Sequence, residues 1–281
     1  MNKPFKKVAL IGREGVTGVK DTLKTLHDLL KNKGINVVMS EITAEAASDD
    51  ILEKQTDLII VVGGDGSLLQ VAHLAVEHDL PVLGINRGQL GFLTDIYPDD
   101  LQKVEAILEG HYTEESRFLL QIEVRENKNL ISQHVALNEV VLLPGDLAQM
   151  IRFEIYINDD FVCAQRADGL IATTPTGSTA YALSGGGPIM HPTLNAIALV
   201  PMFPHKLSSR PIVIDNNSVI DIAITTKKIT PHVSCDGQKR VSVPMDATLH
   251  IQKYQKSLKL IHPSSYDYYQ TLREKLGWEA H

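Results

Sequence analysis

Gly63-Gly64-Asp65-Gly66-Ser67 is the stretch whose residue types and spacing most plainly offer chemistry. Glycines let the backbone approach a phosphate or a ribose closely, and free amides at a helix start favour an anionic group. Asp65 is the odd member. A carboxylate in such a turn repels phosphate unless it accepts a proton, holds a sugar hydroxyl or works beside a metal ion. The plainer alternative, that Asp65 caps the helix that follows, is also open.

A second stretch runs from Ala167-Asp168-Gly169 through Thr173-Thr174-Pro175-Thr176-Gly177-Ser178-Thr179-Ala180-Tyr181-Ala182-Leu183-Ser184 to Gly185-Gly186-Gly187-Pro188. Short hydroxyl donors among glycines suit phosphate and ribose oxygens. A plain surface loop would not normally carry a tyrosine and leucines in its midst. The third signal is Asn138-Glu139 inside the apolar run Val135 to Val141. Neighbours on a strand point to opposite faces, so at least one of the two is expected to be buried and paired, either across the sheet or with a ligand.

These residues need elements to position them. Leu58 to Val62 is an unbroken apolar run ended by two glycines, which reads as a strand buried on both faces at the carboxyl edge of a parallel sheet. Leu68, Leu69, Ala72, Ala75 and Val76 then recur at helical spacing, so a helix starts at about Gly66 or Ser67. Strands at Lys7 to Ile11, Ile35 to Met39 and Pro81 to Asn86 alternate with helices. One carries Val19, Leu23, Leu26 and Leu30, a polar one lies around Glu45 to Gln55, and one runs from Pro98 to Leu108. That alternation predicts a doubly wound, Rossmann-like parallel sheet over residues 1–116.

From Arg117 the apolar period changes to two. Strands are expected at Phe118 to Arg125, Ile131 to Leu143, Ile151 to Ile157, Phe161 to Cys163, Pro211 to Ile214, Val219 to Thr225, and His232 to Val243 folded about Asp236-Gly237. Leu249 to Tyr254 and Ser257 to Ile261 complete an antiparallel, β-sandwich-like domain over residues 117–262. Tyr266, Tyr269, Leu272 and Leu276 then mark an amphipathic tail helix in 263–281, which must dock, and the first domain is the expected place.

Composition narrows the function classes. Lys+Arg 27 against Asp+Glu 34 leaves a net charge of −7, which argues against a nucleic-acid binder with a general basic face. Cys163 and Cys235 are far apart in the chain, so free thiols in a reducing cytoplasm are expected rather than a disulfide or a zinc site. No stretch approaches the roughly 20 apolar residues of a membrane helix. No G-x-x-x-x-G-K-[ST] occurs, and Gly12-x-x-Gly15 is no dinucleotide fingerprint, so any ATP would be held without a P-loop.

Taken in order, four segments resemble the NAD kinase family across nearly the whole chain. They are Gly63 to Leu69, Leu83-Gly84-Ile85-Asn86 with Leu90-Gly91-Phe92-Leu93, Asn138-Glu139, and Asp168-Gly169 through Thr174 to Tyr181. Gly-Gly-Asp-Gly alone is shared with phosphofructokinases and diacylglycerol-type lipid kinases. The Thr-Pro-Thr-Gly-Ser-Thr-Ala-Tyr run together with Asn-Glu is the specific part. The resemblance implies ATP-dependent phosphorylation of the adenosine 2′-hydroxyl of NAD, with a divalent metal ion, magnesium by expectation, and no assigned protein ligand for it.

Carried over residue by residue, the resemblance makes Asp65 the proton acceptor and Gly66 its neighbour at the nucleotide. Asn138, Glu139, Arg166 and Asp168 would hold NAD, with Thr179, Ala180, Tyr181, Ala182, Leu183 and Ser184 around it. Gln238 would be a further contact, and Gln149 occupies a position where the contact varies. Arg166 also places a charge suited to discriminating NAD from NADH. The family's homodimers and homotetramers imply the same for this chain. Two readings from other classes stand beside it: a diacylglycerol- or sphingosine-type lipid kinase with a greasy acceptor site, and a dinucleotide sensor with no phosphoryl transfer.

Overall fold

The structure, a computed structural model, describes residues 5–42, 52, 55–88, 91–145, 149–226 and 230–279. The polar helix expected around Glu45 to Gln55 lies largely outside the described residues, as does Leu90. Two compact units emerge, one of Met1–Ser116 with Leu258–His281 and one of Arg117–Ser257.

In the first unit, β1 (Lys7–Arg13), β2 (Asn36–Ile42), β3 (Leu58–Gly63) and β4 (Pro81–Asn86) pair in parallel in the order β2-β1-β3-β4. Every residue of β3 is buried, as a strand covered on both faces requires. Helices α1 (Val19–Asn32), α2 (Asp65–Glu77) and α3 (Leu101–Leu108) cover the sheet. The α1 stripe Val19, Leu23, Leu26 and Leu30 is buried as its spacing predicts. Strand order reverses between β1 and β3, and open α/β sheets take ligands beyond the carboxyl ends of strands at such a point. The Gly63-Gly64-Asp65 turn sits at the carboxyl end of β3.

The second unit is antiparallel. Its strands are β5 (Tyr112–Glu126), β6 (Asn129–Ala136), β7 (Glu139–Leu143), β8 (Ile151–Ile157), β9 (Asp160–Ala167) and β10 (Gly169–Thr173). A 3-10 turn (Thr176–Thr179) and the short helix α4 (Tyr181–Ser184) follow. Then come β11 (Ala196–Met202), β12 (Ile212–Asp215), β13 (Ile220–Ile224), β14 (His232–Cys235), β15 (Lys239–Ser242) and β16 (Thr248–Pro263). One sheet has the order β12-β11-β10-β7-β14-β15, and β16-β13-β8-β9 belongs to the other. Phe118, Leu120, Val140, Leu142, Phe153 and Leu249 pack between the two as one core.

Three hairpin turns, at Asn127-Lys128, Asn158-Asp159 and Asp236-Gly237, hold both central residues at positive φ, between 48° and 69°. Two-residue turns of that hand match the strand twist and favour Asn, Asp and Gly. Sequence spacing misplaces four elements. The single strand expected over Ile131 to Leu143 is two, because the chain leaves β6 for β7 in the other sheet and breaks at Leu137-Asn138. The two strands expected between Leu249 and Ile261 are one, since nothing between them forces a turn. Strands β10 and β11, not anticipated, run through Gly169–Thr173 and the apolar segment Ala196–Met202.

The last residues of β16 return to the first unit, where Lys259, Leu260 and Ile261 pair in parallel with Pro81, Val82 and Leu83 of β4. Helix α5 (Tyr268–Leu276) follows, capped by Asp267, which accepts from Tyr269 N–H at 2.8 Å. Among the described residues no helix is long and apolar enough to cross a membrane. Helix α5 buries Tyr268, Thr271 and Leu272. Leu272→Ala should therefore cost about 2–5 kcal/mol of unfolding free energy in urea titration. A loss below about 0.5 kcal/mol, the level of a surface change, would mean that the helix is not docked.

Candidate active site

Asp65 opens α2, but its side chain caps nothing in that helix; the preceding Gly64 is the cap position and makes no side-chain bond. The capping alternative is thereby overturned. Its carboxylate instead accepts from a turn of the same unit: Phe92 N–H at 2.8 Å to Oδ2, and Leu93 N–H at 3.0 Å and Thr94 Oγ1 at 3.2 Å to Oδ1. Gly91 makes the approach possible, because a Cβ there would run into Asp65 Oδ1 and Thr94 Oγ1. Thr94 is steadied in turn by Asn86 Nδ2, 3.0 Å from its hydroxyl and 3.2 Å from its carbonyl. Gly66 is exposed in the first turn of α2 with open space beside it.

The second unit gathers most of the other expected residues. Asn138 and Glu139 lie where the chain changes sheet, and that break is held by Asp236. Its Oδ2 accepts from Leu137 N–H at 2.8 Å, and its Oδ1 accepts from Asn138 N–H at 2.8 Å and Glu139 N–H at 3.1 Å. The hydroxyl-rich stretch folds against the same point. Thr174 N–H and Thr173 Oγ1 donate to the Asn138 carbonyl at 2.9 and 3.1 Å, and Thr174 Oγ1 donates to Leu137 O at 2.6 Å. Gly177 is required there, since a Cβ would clash with the Asn138 carbonyl.

Ala180 caps α4, whose residues Tyr181, Ala182, Leu183 and Ser184 follow the half-buried Thr179. Tyr181 and Ser184 line a cavity of about 500 Å³ with Met202, Phe203 and Arg210. Asp168 is half-buried between β9 and β10, its N–H bonded to Met202 O at 2.9 Å, and Arg166 is exposed on β9. Gln238 is exposed, its N–H closing the Asp236-Gly237 turn on Cys235 O at 3.0 Å. Gln149 is exposed and makes no hydrogen bond among the described residues, so nothing local draws it to the others.

Glu139 is electrostatically the most unusual of these. It is 5% exposed, and burial first, then the nearby Asp236 charge, push its carboxyl up to about 8; a hydrogen bond from the Tyr181 backbone pulls the other way. Its Oε2 has no hydrogen-bond partner among the described residues. A neutral carboxyl is a donor as well as an acceptor, so Glu139 can offer an O–H where an ionised neighbour cannot. Both cysteines are free, and burial, followed by Asp236, pushes the Cys235 thiol up to about 12, which makes it unreactive.

Sequence reasoning missed Thr94 and Asp236 as parts of these sites. The signal for Thr94 was present in the glycine of Gly91-Phe92-Leu93-Thr94, where only a missing Cβ admits a carboxylate. Asp236 carried no signal beyond its place in a turn.

A carboxylate seated at the carboxyl edge of a parallel sheet, and a hydroxyl-rich β unit with a buried acid, define a nucleotide-handling protein of the α/β-plus-β-sandwich type. Comparison with known proteins narrows the class. Residues 8–112 match the ATP-NAD kinase N-terminal domain and residues 137–263 the ATP-NAD kinase C-terminal domain. An NAD kinase of Coxiella burnetii is 57% identical over 99% of this chain and 97% of its own, and one of Pseudomonas putida 52% identical over 98% and 96%. A yeast NADH kinase complexed with NADH has the same fold at a TM-score of 0.88 and 23% identity, covering 99% of this chain and 89% of its own. An NAD kinase from Archaeoglobus fulgidus in complex with ATP gives 0.75 and 24%, over 98% of this chain and 100% of that one. The chain belongs to the ATP-NAD kinase family. Both family domains match, not the Gly-Gly-Asp-Gly turn alone, and the lipid-kinase alternative falls with that.

Glu139 makes the stability of the fold pH-dependent. Between its ordinary value of 4.5 and about 8 the folded chain keeps a proton that the unfolded chain has released, so stability falls as pH rises through that window. Between about pH 5 and pH 8 the Tm of wild type should therefore drop relative to that of Glu139→Gln, which cannot titrate. Parallel Tm profiles for the two would show that Glu139 ionises freely.

Proposed function

We propose that the chain transfers the γ-phosphoryl group of ATP to the 2′-hydroxyl of the adenosine ribose of NAD, giving NADP and ADP. The observation that carries the reading is the seating of Asp65. Three donors hold its two oxygens in place at the sheet edge. An ionised carboxylate offers about four acceptor directions, so about one remains for a sugar hydroxyl.

An alcohol is far less acidic than a carboxylic acid of reference pKa ~3.9, so Asp65 does not strip the hydroxyl outright. Phosphoryl transfer through a loose transition state needs little early deprotonation. Asp65 accepts a hydrogen bond from the 2′-hydroxyl and aims its oxygen in line with the γ-phosphorus. The new O–P bond forms as the bond to the ADP oxygen breaks, and the proton passes to Asp65 late. General-base help of this kind is worth about 10²- to 10⁴-fold. In the second unit Asn138, Glu139, Arg166, Asp168, Thr179 to Ser184 and Gln238 are the residues we assign to NAD. Gln149 is assigned with them on the resemblance alone.

A divalent cation, magnesium in this reading, comes with the nucleotide. Among the described residues no three His, Cys, Asp or Glu side chains converge to hold an ion. With its acceptor directions taken by three donors and the sugar hydroxyl, Asp65 has none left for the ion. The ATP phosphates and water would hold the magnesium, which would offset their charge. We further propose that the protein works in the cytoplasm as a homodimer or homotetramer, a reading supported by the exposed Phe161, Phe203 and Leu207 of the second unit.

NADP formation from purified protein, ATP, NAD and magnesium, repeated with each omitted, tests the assignment. Asp65→Asn should lower kcat by at least about 10²-fold while the KM for NAD stays within a few-fold; near-normal turnover would remove Asp65 from the chemistry. Arg166→Gly should change the ratio of kcat/KM for NAD over NADH by about fivefold, the scale of one exposed charge at roughly 1 kcal/mol. An unchanged ratio would take Arg166 out of substrate discrimination.

A further inference from the structure

Behind the turn that grips Asp65 lies a buried, hydrogen-bonded pair of polar side chains that the reaction, as derived above, does not use. Asp95 is the residue after Thr94, and its Oδ2 lies 2.9 Å from His262 Nδ1. The two side chains are 6% and 1% exposed. A second carboxylate, Glu115, stands 3.7 Å from His262 Nε2, and the imidazole stacks on Tyr266 with centroids 4.0 Å apart and planes 12° from parallel. All four residues belong to the first unit.

The turn has two other sources of support. On the sheet side, Asn86 bonds Thr94 as described, and its N–H donates to Ile96 O at 2.7 Å. On the tail side, Tyr268 meets the Phe92 ring at 6.4 Å and Lys275 Nζ lies 5.9 Å above it. Those contacts fix Phe92 and the backbone on either side of Asp95, and the His262 bond holds the Asp95 side chain between them. Burying such a pair gains little net stability over a hydrophobic replacement, so its value lies in the geometry it enforces.

We infer that the His262–Asp95 pair is a positioning device for Asp65. It locks the Phe92–Thr94 turn in the one arrangement whose two amides and hydroxyl aim the Asp65 carboxylate at the acceptor. The inference rests on the reading of Asp65 as the group that faces the 2′-hydroxyl. His262 and Asp95 act through that residue and are positioning residues. A displacement of about 1 Å from a residue remote from the chemistry costs up to about 10²-fold in rate.

The test is steady-state kinetics on the full-length protein with His262→Leu, His262→Asn and Asp95→Asn, each made in wild type and in an Asp65→Asn background. His262→Leu and Asp95→Asn should lower kcat by about 10- to 100-fold with the KM for ATP and for NAD within a few-fold. His262→Asn, whose amide nitrogen can take the place of Nδ1, should recover most of that loss. In the Asp65→Asn background the same changes should cost less than about twofold, because the group being aimed is gone. A loss that multiplies fully in that background, a rise in KM at unchanged kcat, or no recovery with His262→Asn would overturn the inference. If His262→Leu fails to fold, the isosteric Asp95→Asn carries the comparison. Near-normal turnover by Asp65→Asn itself would instead sink the reading of Asp65, a result separate from any effect at His262.

Discussion

Two carboxylates, Asp65 and Asp236, each accept from consecutive backbone amides, one at a turn and the other where β6 gives way to β7, and the placement of the candidate residues depends on them. Asp65 takes the amides of Phe92 and Leu93, Asp236 those of Leu137, Asn138 and Glu139. Charged hydrogen bonds of this kind are roughly twice as strong as neutral ones, and several to one acceptor leave the segment one conformation. In the first unit the gripping acid is itself the group assigned to the chemistry. In the second, the gripping acid serves its neighbour, setting where Asn138 and Glu139 emerge and adding its negative field to the burial that pushes the Glu139 carboxyl up.

The hydrophobic frame was legible wherever burial imposed a period. Leu58 to Val62 could only be a strand covered on both faces, and the α1 stripe could only be a helix lying on a sheet. Hairpin turns were legible from Asn, Asp and Gly, which tolerate the left-handed backbone they adopt. The break at Leu137-Asn138 was not, because the chain is apolar on both sides of it and its cause is 97 to 99 residues away. Likewise the turn that holds Asp65 lies 27 to 29 residues beyond it. Side-chain bonds of that range leave no periodicity in the chain. Only a glycine with no other reason to be there, such as Gly91 or Gly177, betrays them.

The two acids at the candidate sites sit in opposite environments. Asp65 is half-buried and surrounded by donors, a setting in which a carboxylate serves as an acceptor. Glu139 is enclosed, has another acid beside it and lacks a partner on one oxygen. Donors face the oxygens of Asp65, while burial and the Asp236 charge push the Glu139 carboxyl up to about 8.

The first unit is assembled from two stretches of chain with the whole second unit between them, and its sheet is completed only by Leu258 to Pro263. During synthesis domains fold roughly as they emerge. The β-sandwich, being continuous, has all its residues synthesised before His262 is added. A product halted between the two would own the surface assigned to NAD while the imidazole that steadies the reacting acid did not yet exist. An order of synthesis that makes His262 among the last residues of the sheet reserves the completed first unit for chains that have been read through the final strand.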